Sequence, residues 1–178
     1  MRNMLLALLL VLALIPRLSY ADDTKIKNEV NAKVTQLAVL MGDSYSHEYP
    51  DYRGIQILRN DKDNMVVAVS IFTIEGLEGG NNYTQFMAVF SALSEAAPGH
   101  PQRMNLLDVI AVGGKGVRGV EFKKITMTQV KGDIRITVPA LEYGPNDALC
   151  CPSIKSEANF IVRPHVGGRI REIGNPKR

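Results

Sequence analysis

Apolar residues recur every three or four positions in one early stretch and every second position in several later ones. Between Asp22 and Met41, Ile26, Val30, Val34, Leu37, Ala38 and Met41 fall on one helical face. Lys25, Lys27, Asn28, Asn31 and Lys33 fill the other. Asp23 or Thr24 offers an oxygen to the unpaired N–H groups of the first turn, and Gly42 offers a stop. Met65 to Ile74, MVVAVSIFTI, is apolar at nearly every position and rich in β-branched residues, which predicts a strand buried on both faces. Phe122 to Val130 and Ile134 to Leu141 alternate instead, around a Lys131-Gly132-Asp133 turn, and predict a hairpin with one wet face. Ile55 to Arg59, Tyr83 to Leu93, Met104 to Val112, Ser156 to Arg163 and Arg169 to Ile173 read as further strands. The expected fold class is α+β, predominantly β. It has an N-terminal helix packed on a mostly antiparallel sheet of about seven or eight strands, as a curled sheet or a sandwich.

The first residues follow a different logic. Arg2 precedes an unbroken apolar run from Leu5 to Ile15, and Ser19-Tyr20-Ala21 places small residues at the cleavage positions before Asp22. The run falls short of the ~20 residues a spanning helix needs, and the layout is that of a cleaved secretory signal. Residues 1–21 are therefore expected to be removed, leaving one domain over 22–178 that is periplasmic or secreted, with no stable membrane insertion. The segment holds no cysteine to carry a lipid. Cleavage removes Arg2 and Arg17, so 21 basic residues become 19 against 18 acidic ones, a formal charge of +1. So small a charge gives no steering toward nucleic acid, which is not expected as a partner.

Several loops carry candidate chemistry. Asp43 to Arg53 gathers Tyr45, Tyr49, Tyr52 and His47, either as a ligand-facing aromatic patch or as tyrosines across a sheet edge with wet hydroxyls. Asn60 to Asn64 is too short for a calcium loop and lacks its glycine and late glutamate, so a hairpin turn is expected. Asn82-Tyr83-Thr84 formally matches a glycosylation acceptor. Ser94 to Arg103, with His100 between turn residues, reads as a surface connection. In GGKGVRGVE, Gly113 to Glu121, the glycines could form an anion-binding nest with Lys115 and Arg118 as counter-charges. The alternative is a wide hairpin loop with glycines at positive φ and solvated basic side chains.

The most unusual chemistry lies in EYGPNDALCCPS, Glu142 to Ser153, which holds the only two cysteines, Cys150 and Cys151. Export would put them where disulfides persist. A bond between neighbours must bridge α-carbons only ~3.8 Å apart, below the ~4.4 Å that relaxed disulfides need, and strain favours reduction. Two thiols with one buried, or a disulfide to another chain, are the alternatives. The pair lacks the two-residue spacer and helix N-terminus of thioredoxin-type redox enzymes. His47, His100 and His165 lie in three separate loops, so no metal ligand set is assigned and no cofactor is expected. The favoured role is structural, a rigid turn closing one end of the sheet.

The run Asp147-Ala148-Leu149-Cys150-Cys151-Pro152-Ser153 resembles the late D-x-x-C-C-P-[ST] motif of a group of exported bacterial proteins that includes the LppP/LprE lipoproteins. The resemblance covers the last third of the chain. It implies an envelope-side location and a compact β domain, and no enzymatic activity. The family's lipid-anchoring cysteine is missing here.

No G-x-S-x-G elbow, paired-histidine motif or marked acid–base pair of carboxylates is present, so no catalytic residue is assigned. The leading expectation is an exported, non-catalytic binding or structural domain whose partner is a small ligand or an envelope protein. The alternatives are a thiol- or metal-handling protein using Cys150 and Cys151, and a hydrolase whose site the sequence does not reveal.

Overall fold

The computed structural model describes residues 15–94, 102–164 and 167–174. Residues 1–14, 95–101 with His100, 165–166 with His165, and the tail from Asn175 lie outside the described residues.

Helix α1 spans Ile15–Met41. It begins earlier than the spacing predicts, the backbone being helical without a break from Ile15 through Asp22. Its inner face buries Ile26, Val30, Val34 and Ala38. Burying each of the larger aliphatic side chains stabilises the fold by about 1.5–3 kcal/mol. Gly42 ends the helix, its N–H donating to the Ala38 carbonyl at 2.9 Å.

The strands form two curled antiparallel sheets, so the fold is α+β and mostly β, as expected, and the sandwich is the form it takes. The described residues hold ten strands, two of them only two residues long. In the first sheet, β3 (Met65–Glu75) pairs on one edge with β4 (Tyr83–Leu93), which pairs with β5 (Asn105–Gly114). The other edge of β3 is shared by β1 (His47–Glu48) and β2 (Gly54–Asn60). In the second sheet, β8 (Asp133–Glu142) pairs with β9 (Ile154–Val162), which pairs with β10 (Ile170–Glu172). The other edge of β8 is shared by β6 (Gly119–Val120) and β7 (Thr126–Val130).

The continuous apolar run of β3 has a direct cause. Val66, Ala68, Phe72 and Ile74 pack with the inner face of α1. The alternate residues Met65, Val67, Val69 and Ile71 meet Ile134, Ile136, Val138, Phe160 and Val162 of the second sheet. Helix, sheet and sheet therefore make three layers, and β3 lies in the middle one. The space between the sheets is filled by side chains.

One predicted strand is shorter than expected. Phe122 to Val130 forms a strand only from Thr126, because the Phe122 carbonyl packs against the backbone of β2 at Gly54. A Cβ on Gly54 would overlap that carbonyl, so only glycine fits there. The β7–β8 turn is as predicted: Lys131 and Gly132 both take positive φ, at 51° and 85°. No helix among the described residues is long and apolar enough to cross a membrane.

Candidate functional site

The segment joining β8 to β9 is the cysteine turn, and it is built around Asp147. The Asp147 carboxylate accepts from Gly144 N–H at 2.7 Å, from Ser153 N–H at 2.8 Å and from the Ser153 hydroxyl at 2.9 Å. These donors stabilise the anion, the Gly144 N–H most of all, and hold the Asp147 carboxyl below the usual carboxylate range. A further turn closes inside this loop, where Cys151 N–H donates to the Ala148 carbonyl at 2.9 Å. Leu149, Cys150 and Cys151 form the exposed crest.

Cys150 and Cys151 are joined to each other in a disulfide, and no cysteine is free. Neither is buried as a small hydrophobe, since both are exposed. The pair is therefore a surface feature on a hydrogen-bonded turn.

Tyr143 ties this turn to the loop that follows β5. Its hydroxyl accepts from Gly116 N–H at 3.0 Å and donates to the Leu149 carbonyl. Leu149 stands over Gly116, its Cδ2 3.7 Å from where a Cβ would lie, and Pro152 stands over Gly119 in the same way at 3.5 Å. Tyr83 belongs to the same end: burial, with the nearby Tyr143 hydroxyl, pushes its pKa up. Val117 and Leu149 remain 63% and 66% exposed, leaving an apolar side chain at the surface of each of these two linked loops.

The Gly113–Glu121 loop is a hairpin turn rather than a nest. Gly114 N–H donates to the Arg118 carbonyl at 2.8 Å, Lys115 N–H to the Tyr83 carbonyl at 3.1 Å, and Val117 N–H to the Gly114 carbonyl at 3.1 Å. With Gly116 N–H on Tyr143, the amides an anion would need are already used. The cations are engaged too. Arg118 makes a two-pronged pair with Glu172, at 2.6 and 2.9 Å, and its Nε donates to the Val112 carbonyl at 2.6 Å. The bonds to Glu172 hold the guanidinium proton more tightly than usual. Its guanidinium lies 5.8 Å from the Phe160 ring centre. The Lys115 ammonium meets the Asn81 side-chain oxygen. This geometry follows the hairpin-loop alternative, and the possible anion-binding role of Lys115 and Arg118 would require these bonds to open.

Below β6 the end is locked by Gln85, a buried amide. Its oxygen accepts from Val120 N–H at 2.7 Å and its nitrogen donates to the Val120 carbonyl at 3.0 Å. One side chain thus replaces a strand partner and joins the two sheets. Nothing in the local sequence marks Gln85 or Tyr143 for joining these segments, because Val120 lies 35 positions from Gln85 and Gly116 lies 27 from Tyr143.

The aromatic loop splits. Tyr45 and Tyr52 are well exposed, and the Tyr52 ring meets Tyr49 and Phe122 edge-on at 6.1 and 6.0 Å. A shallow groove of about 270 Å³ lies between the end of α1 and β1, lined by Thr35, Asp43, His47 and Glu48 among others. Its carboxylates are already paired: Asp43 accepts from Tyr45 and Glu78 N–H groups, and Glu48 binds Arg53. Among the described residues no three His, Cys, Asp or Glu side chains converge as a metal site.

No family model, curated protein or solved structure matches the chain.

Proposed function

We propose that this chain is an exported, envelope-side domain that acts by binding rather than catalysis. Its contact surface is the end of the molecule built by the cysteine turn. The observation that carries the reading is the pairing of exposure with bracing. Val117, Leu149 and the disulfide face solvent, yet the backbone beneath them is fixed by Asp147, Tyr143 and Gln85. A surface that is already ordered loses little entropy when a partner docks, so apolar contacts there count toward affinity. The likeness of Asp147 to Ser153 to the LppP/LprE motif supports the same compartment, as does the apolar leader.

The test is a photo-reactive residue placed at Leu149 in exporting cells, with Thr128 on the exposed face of β7 as the comparison. The expected outcome is a discrete adduct from position 149 that position 128 does not give. Equal adducts, or none from position 149, reject the reading. In the same cells the exported chain should begin at Asp22 by intact mass.

A further inference from the structure

A disulfide between adjacent cysteines is expected to add little to the fold, and that points to the chemistry of its sulfurs. A crosslink stabilises a protein by closing a loop in the unfolded chain, and the effect grows with loop length. Cys150 and Cys151 are adjacent, so their bond closes the smallest loop two cysteines allow. The folded turn does not depend on it either. Asp147 grips Gly144 and Ser153 on either side of the pair, Cys151 N–H closes onto Ala148, and Tyr143 holds the Leu149 carbonyl. Every one of these bonds uses oxygen and nitrogen atoms, and none uses sulfur. Both cysteines are also open to solvent, so a reductant and a ligand can reach them.

We propose that Cys150 and Cys151 form a reversible dithiol–disulfide site. In its reduced form the turn captures a soft, thiophilic acceptor between the two sulfurs. In the opening step an external dithiol attacks one sulfur and the Cys150–Cys151 bond breaks. The second thiol of the reductant then releases the mixed disulfide. The protein gains two electrons and two protons as two thiols, and the reductant leaves as its cyclic disulfide. The turn keeps both thiols on adjacent residues facing solvent. That spacing suits an acceptor that takes two sulfurs side by side, as trivalent arsenic does, over a cation that wants them on opposite sides. Thiolates are the ligands that select soft acceptors. The inference goes beyond the partner-binding reading and is tested on the purified chain alone.

Phenylarsine oxide is the probe. It condenses with two thiols to form two As–S bonds and one water, so intact mass reports the product directly. The chain reduced with dithiothreitol and freed of it is expected to keep its fold by circular dichroism. It should take one arsenical per molecule and lose both alkylatable thiols. The oxidised chain should take none, and Cys150→Ser, which leaves one thiol, should form no stable adduct. Because the turn holds the thiols ready, the folded reduced chain should bind about tenfold more tightly than the same chain in urea. Asp147→Ala should lose most of that advantage. Unfolding on reduction would overturn the proposal by making the disulfide a structural staple. Equal affinity in the folded and urea-unfolded chains would also overturn it, as would an adduct retained by Cys150→Ser.

Discussion

Asp147 and Ser153 face each other across the disulfide, six residues apart, with the Ser153 N–H 2.8 Å and its hydroxyl 2.9 Å from the Asp147 carboxylate. The two ends of the Asp-x-x-Cys-Cys-Pro-Ser run are therefore bonded to each other, and the cysteines form the crest of the loop they close. The carboxylate's pKa is lowered in the fold, so its contribution is fully present above the ordinary aspartate range. It is lost as pH falls through the lowered value. Gly144 and Ser153 amides should be protected from hydrogen exchange at neutral pH, measured against intrinsic rates. That protection should fade only on strong acidification. Asp147→Ala should remove it at every pH. Protection that survives this substitution would mean the turn is held by something else.

Serine at both cysteine positions should change stability little. Extending the chain-entropy relation to two adjacent residues gives about 1 kcal/mol, against ~3 kcal/mol for a 15-residue loop. For a chain of this size that is a Tm shift of about 2–4 °C. Phe160→Ala makes the contrast, since Phe160 is fully buried between the sheets. Its loss should cost about 3–5 kcal/mol. Thermal melts of the two variants side by side check the ordering. A double-serine chain that melts as low as Phe160→Ala would show that the disulfide carries the fold.

Much of the architecture was legible in the sequence because it depends on local periodicity. The helical stripe of Ile26, Val30, Val34 and Ala38 and the unbroken apolar run of β3 each followed from side-chain spacing. The choice between one curled sheet and a two-sheet sandwich was not legible. Strand signals do not say which edges pair, and β3 looks the same whether helix or sheet covers it. The shortened β7 shows another limit: the alternation from Phe122 does not mark where pairing begins, and only the approach of Gly54 to Phe122 shows why it starts at Thr126. At the candidate site the cysteine turn was legible as a turn. The disposition of Arg118 was not, because its partner Glu172 lies 54 positions away.

Arg118 offers a direct test of that disposition. Glu172 is half exposed, so the two-pronged pair is partly screened by solvent. Arg118→Ala also frees the Val112 carbonyl and removes the contact with Phe160. The expected cost is about 1–2 kcal/mol, read as a lower urea midpoint with an unchanged slope. Phosphate should not raise the melting temperature beyond a chloride control of equal ionic strength. A phosphate-specific rise abolished by Arg118→Ala would restore the anion site.

The junction of helix and first sheet depends on a buried ion pair. The Glu48 and Arg53 side chains are 8% and 5% exposed, and the guanidinium makes two bonds to the carboxylate. Arg53 also donates to the Asn31 carbonyl at 3.0 Å and to the Thr35 hydroxyl at 2.9 Å, so one side chain joins α1 to the strands. Removing one partner leaves the other charge buried alone, which costs about 3–5 kcal/mol. Removing both leaves no charge to solvate. Arg53→Met and Glu48→Leu should therefore each destabilise strongly, while the double variant loses less than the sum of the two. Urea unfolding of all four chains completes the cycle. Additive losses would show that the two side chains act as independent contacts rather than as a coupled pair.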